Sequence, residues 1–207
     1  MIVSITETHR PSRGDRIGLW AFAVAGVAIA GWAVWTAIAR IIEVLPNKDV
    51  AVLAAFSGTQ ALAPIGPDGA EVAVELDRAI ITAPSLPGAS LAALVIQQLV
   101  LAASVVGVVI CLIWLIRNMA VGTVFSRTNS VLVTTAGFLG LAGYFLVPFF
   151  GNMAANGAFA RVSDRTFDNV IISVAPFDLV IIAFVVALVA TVFGVGERLQ
   201  RDTDGLV

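Results

Sequence analysis

The sequence predicts an all-α integral membrane protein, a bundle of four transmembrane helices with a small β-rich extracytoplasmic insertion between helices 1 and 2. Three observations predict it. The 207 residues are 59% hydrophobic and only 13% charged, whereas soluble domains are roughly 25% charged. Four stretches have the roughly 20 apolar residues that a helix needs to cross about 30 Å of hydrocarbon. Between the first two lies a segment holding Glu43, Asp49, Asp68, Glu71, Glu75 and Asp77, too acidic to enter a bilayer core. The whole chain, 1–207, reads as a single membrane domain, with residues 40–90 as the insertion.

The first span covers residues 17–39 and carries no charge. Its basic leader, Arg10, Arg13 and Arg16, resembles that of a secretory signal, but its apolar run exceeds the roughly 7–15 residues of a signal core. It is expected to stay as a helix. In the insertion, Glu71-Val72-Ala73-Val74-Glu75-Leu76-Asp77 alternates apolar with polar or small residues, the pattern of a half-buried strand. Residues 50–56 supply a second strand, and Pro67-Asp68-Gly69 has turn chemistry. Pro84, Pro87 and Gly88 then break the chain ahead of the second span. The acids lack the order of a calcium loop, so they read either as a solvated cap or as a sensor of an external ligand or cation.

The second span covers residues 91–116, the third 131–150 and the fourth 176–195. Strands are a poor alternative, because the spans lack period-two alternation and are rich in helix-favouring alanine. Asp178 is the one acid in the fourth span. Two residues after Pro176, it falls in the first turn, where proline is favoured and an acid meets the positive end of the helix dipole. Gln97 and Gln98 are placed to bond across the bundle near the outer end of the second span.

Charge sets the orientation. The N-terminal tail, the connection of residues 117–130 and the C-terminal tail hold seven arginines: Arg10, Arg13, Arg16, Arg117, Arg127, Arg198 and Arg201. The other two connections hold five basic residues, three of them in the long insertion, which counts for little. Both termini are therefore expected in the cytoplasm. Trp20 and Trp114 fall near the inner interface, and Trp35, Tyr144, Phe149 and Phe150 near the outer one, as aromatic belts require. Trp32 lies deeper and is expected to be packed.

Small residues recur at helical spacing: Gly26, Ala30, Ala33 and Ala37; Ala103, Gly107 and Cys111; Ala136, Gly140 and Gly143; Ala183, Ala187, Ala190 and Gly194. Lipid offers no hydrophobic drive between helices, so close approach through small residues holds them together. Gly107, Gly140, Gly143 and Ala187 are the expected contact points.

Few kinds of chemistry survive this composition. One cysteine, Cys111, and one histidine, His9, exclude a disulfide and any site built on several of these ligands. No nucleophile elbow, P-loop or zinc-protease motif occurs. A net charge of −2 disfavours direct nucleic-acid binding. The expectation is a protein without catalysis, cofactor or resident metal, whose first partner is the lipid bilayer.

The cytoplasmic connection carries the most distinctive pattern. Gly122 is placed to end the second helix with positive φ, and Ser126 to cap the third. Phe125, just before the cap, is placed to staple onto an apolar residue further on. Gly122, Phe125, Ser126 and Asn129, together with Phe193, Gly196 and Leu199 at the end of the fourth span, resemble the DUF2975 family of bacterial four-helix membrane proteins. Asp204-Gly205-Leu206-Val207 stands where members more often have Asp-Leu-Thr-Val. The resemblance covers the whole membrane topology. It implies no enzymatic activity. Members are commonly encoded beside small helix-turn-helix regulators, so it implies a regulatory or sensory protein of the inner membrane that docks such a regulator. The docking residues are then expected at Arg117, Gly122, Phe125, Ser126, Arg127 and Asn129. An envelope-protective protein, an accessory subunit of a membrane complex and a homo-oligomer are the other expectations.

Overall fold

The computed structural model describes residues 13–167 and 175–204. The N-terminal tail with His9 and Arg10, and the last three residues, lie outside the described residues. The elements run α1 (Arg13–Val44), β1 (Val50–Ala63), a short 3-10 turn (Pro67–Gly69), β2 (Val72–Ala83), α2 (Gly88–Ala120), α3 (Arg127–Val162) and α4 (Pro176–Asp204). All four helices are long and apolar enough to cross a membrane. The insertion is the expected hairpin, a two-stranded antiparallel sheet.

The helices outlast their apolar runs. α3 is the clearest case, continuing from Phe150 to Val162. Hydropathy falls at Gly151 and Asn152, but the alanines that follow are strong helix formers. Ala154, Ala155 and Ala158 are buried there, so packing sustains the extension.

The chain forms two compact units. The first comprises the described residues of Met1–Trp35, Ala102–Gly143 and Phe177–Val207; the second comprises those of Thr36–Leu101 and Tyr144–Pro176.

The second unit is built like a small soluble domain. Val50, Val52 and Ala54 alternate onto one face of β1 and join Ala83, Leu86, Ala93, Leu94, Ala154, Ala155, Ala158 and Phe159 in one core. Period-two alternation turns these residues toward the helices. Phe56 meets Phe159 edge-on at 5.1 Å, and Phe159 lies 5.0 Å from Phe167. Gly157 lets α3 approach α2 so closely that a Cβ there would collide with Ser90. Ladder pairing stops at Ala55↔Arg78 and resumes at Thr59↔Leu76. Three residues of β1 thus bulge opposite Asp77, and Gly58 supplies the positive φ of 66° that the bulge needs. Beyond the bulge no strand residue is buried, and Leu62 and Ile65 are exposed.

The first unit inverts the pattern of a soluble protein, with large apolar side chains outside. Phe22, Phe138 and Phe184 are each more than 60% exposed. Small residues make the helix contacts. A Cβ on Gly26 would touch Val109 at 3.3 Å, one on Gly107 would meet Leu139 at 2.8 Å, and one on Gly143 would meet Ser104 at 2.8 Å. On α1 the expected stripe holds: Ala33 and Ala37 are buried, with Gly26 and Ala30 half-buried. Cys111 is buried as a small packing residue.

Three packing expectations need correction. Gly140 has nothing within 4 Å of a built Cβ; Gly137 makes the contact instead, against Val186. On α4 Ala187 is exposed, and the half-buried face includes Ala183, Val186, Ala190, Phe193 and Gly194. A Val186–Gly137 knob and hole fixes that rotation, which alanine spacing alone does not. Trp32 is 71% exposed, so it stands on the outer surface of α1.

Candidate functional site

The turn between α2 and α3 is closed by its own hydrogen bonds. α2 ends in a Schellman motif: the Gly122 N–H donates to Met119 O at 3.0 Å, and the Thr123 N–H to Asn118 O at 3.0 Å. Gly122 takes φ 90°, open to glycine and strained for a side chain. α3 begins as expected, with Ser126 Oγ accepting the Asn129 N–H at 3.2 Å.

Asn129 ties the two ends together. Its Nδ2 donates to Thr123 O and Val124 O, both at 2.8 Å, while its Oδ1 accepts from Asn118 Nδ2 at 2.7 Å. Asn129 has no exposed surface. It therefore holds the turn from inside rather than presenting itself to a partner.

Phe125 departs from the expected staple. The fourth residue of α3 is Ser130, whose hydroxyl donates to Glu197 Oε2 at 3.1 Å and offers no apolar seat. Phe125 instead packs on α4, 5.7 Å from Phe193 and over the bare backbone of Gly196, where a Cβ would collide with its ring. The α2–α3 turn and the end of α4 thus meet in space: Phe125 and Ser130 on one side, Phe193, Gly196 and Glu197 on the other. Glu197 also pairs with Arg201 at 2.6 Å.

The turn presents outward Arg117, Val121, Thr123, Arg127, Thr128 and the remaining edge of Phe125. Both arginines are exposed, and neither is ion-paired among the described residues. Arg117 lies over the Trp114 ring at 5.6 Å, a cation–π contact that steadies its stem.

The second unit holds a cavity of about 610 Å³, lined by residues from the ends of α1 and α3, both strands and the start of α2. Its polar lining includes Arg40, Arg78, Asp77, Gln97 and Gln98. Arg78 and Asp77 come from the hairpin, so local sequence could not reveal this convergence. Among the described residues no group of three or more metal-ligating side chains gathers.

Compared with protein-family models, curated proteins and solved structures, the chain matches none.

Proposed function

We propose that this chain is a non-enzymatic, multi-pass protein of the bacterial inner membrane, with both termini in the cytoplasm, that holds a cytoplasmic protein at its α2–α3 turn. The observation that carries the docking is the turn's construction. Asn129, the Schellman motif and the Phe125–Gly196 seat fix the backbone, while Arg117 and Arg127 are exposed and have no ionic partner among the described residues. A surface already ordered loses less entropy on binding, and unpaired cations select an acidic partner surface. The resemblance to the DUF2975 family makes a small helix-turn-helix regulator the partner of choice. Insertion is supported by the exposed Phe22, Phe138 and Phe184 on helices of spanning length, since soluble monomers rarely expose large contiguous apolar patches.

The test is a photo-crosslinker at Thr128 in cells, with the captured protein identified. A soluble DNA-binding protein, captured in the wild type and lost in the Arg117→Gln/Arg127→Gln variant at equal expression, is the expected result. Capture of the same protein by that variant overturns docking through these charges.

A further inference from the structure

The cavity of the second unit sits where the apolar spans run out. The uncharged run of α1 ends at Ala39, next to Arg40. Counting about 20 residues outward, the length that crosses a bilayer, leads from Ile116 to Gln97 and from Val131 to Phe150, beside Gly151. The fourth span starts at Pro176. Arg40, Gln97, Gly151 and Pro176 all line this one cavity. On the reading that the four helices cross the membrane, its mouth is at headgroup depth on the extracytoplasmic side.

Its lining has two kinds of surface. Phe56, Leu94 and Pro148 are apolar. Against them stand Arg40 and Arg78, with Asp77 as the acid among the described residues of the lining. Arg40 is held in place, its Nη1 2.8 Å from Glu43 Oε1 and its Nη2 donating to Ala51 O. A guanidinium has five donors, so capacity remains for a ligand. Arg78 is largely exposed, and its contact to Asp77 is a loose 3.8 Å. Gln97 and Gln98 are half-buried and make no hydrogen bond among the described residues. Their amides line the cavity and keep donors and acceptors that a polar ligand can use. The volume lies within the roughly 300–1,000 Å³ of small-molecule sites.

We propose that this cavity binds a phosphodiester group, that of a phospholipid from the outer leaflet. Arg40 and Arg78 take the phosphate oxygens, and Gln97 and Gln98 bond to the polar headgroup. The acyl chains leave along the apolar side into the bilayer. Arg40 is shared with Glu43 and Arg78 is only loosely held by Asp77, so Arg78 is the cation with most capacity for an anionic group, and guanidinium geometry matches a phosphate better than a point charge does.

The experiment has two stages. Alkaline carbonate extraction of membranes asks whether the full chain is integral; release into the supernatant overturns the membrane reading itself. Detergent-purified protein is then titrated with dihexanoyl phosphatidylglycerol below its micelle concentration, with dihexanoylglycerol and with glycerol phosphate. Bound mass is read by native mass spectrometry and affinity by the shift in unfolding temperature. Saturable binding of one phosphatidylglycerol is expected, with Arg78→Gln weakening it about tenfold through loss of a charge-assisted hydrogen bond. Arg78 is exposed, so its replacement leaves the fold intact, and Gln98→Leu provides a second variant with the same expected direction. Arg161→Gln, outside the lining, should bind as wild type. Equal binding of dihexanoylglycerol, or unchanged affinity in both lining variants, overturns the phosphate site in an integral protein. Glycerol phosphate binding as tightly as the lipid overturns the lipid as source and assigns the site to a soluble phosphate ester.

Discussion

Asn47 pairs both ends of its side-chain amide with the backbone of Leu86, accepting the Leu86 N–H at 2.7 Å and donating to Leu86 O at 3.0 Å. One residue just past α1 thereby fastens the chain just ahead of α2, and the hairpin between them is closed at its base. Asp49 adds a backbone bond to Pro84 O at 3.2 Å. Asn47 takes φ 50°, a conformation that asparagine tolerates better than most residues. Replacing it with alanine removes both bonds and leaves Leu86, which is 4% exposed, with unpaired backbone groups. Asn47→Ala should cost about 2–3 kcal/mol by the penalty for unsatisfied buried polar groups, read as a lower unfolding temperature in detergent. Asn47→Gly, which keeps the φ but not the bonds, should lose nearly as much. A much smaller loss for glycine would assign the role to backbone strain.

Packing in the first unit gives a prediction that separates two glycines three residues apart. Gly137→Leu must displace Val186, and overpacking of this kind costs about 1–3 kcal/mol. Gly140→Leu meets open space and should be close to neutral. Thermal stability ranked the other way would refute the rotation assigned to α3.

These glycines also show where sequence reasoning stopped. The four spans, the hairpin and its turn at Pro67–Gly69 were legible because each rests on local composition or on a period that the chain itself displays. The phase of a small-residue stripe was not. On α4, Ala183, Ala190 and Gly194 of the expected line are half-buried, but Ala187 is exposed and Val186 and Phe193 complete the face. Alanines are so frequent here that their spacing carries little information, and the partner helix decides. The end of α3 was missed because hydropathy measures affinity for lipid, whereas residues 151–162 stay helical by packing against the hairpin. The caps at Gly122 and Ser126 were legible because capping is local chemistry. Phe125 went elsewhere because its seat, Gly196, is far along the chain. The cavity was illegible for the same reason, since Arg78 and Gln97 converge only through the hairpin fold.

Asn129 offers a test of the turn as a rigid element. Asn129→Ala strands Asn118 Nδ2 and the carbonyls of Thr123 and Val124, and should cost about 2–3 kcal/mol in stability. Hydrogen exchange at the end of α2 and the start of α3 should rise, while exchange in β1 and β2 stays as in wild type. Uniform acceleration across the chain would mean that the turn has no local stability of its own.

Topology is checked by labelling in a Cys111→Ala background, since Cys111 is buried and small. A cysteine at exposed Ser57 in the hairpin should react with an impermeant thiol reagent in intact cells. One at exposed Thr128 should react only after the membrane is opened. Thr128 serves better than Ser126, whose hydroxyl caps α3. Labelling at Thr128 in intact cells would reverse the assigned orientation.

The seat of Phe125 yields the most specific expectation. A methyl group at residue 196 collides with the Phe125 ring, and the ring is too stiff to absorb the overlap in place. Gly196→Ala should therefore push Phe125 off α4 and out of its contact with Phe193. The gain in helix propensity, up to about 1 kcal/mol for alanine over glycine, offsets part of the lost packing. The net change in unfolding temperature should be small even though the turn is rearranged. The rearrangement is read instead from a photo-crosslinker at Thr128, whose capture of a cytoplasmic partner should fall sharply. Phe125→Ala should lower capture in the same way without overlap at residue 196. The double variant should be no worse than either single change if both act through the position of one ring. Additive losses would show that Gly196 contributes separately from Phe125.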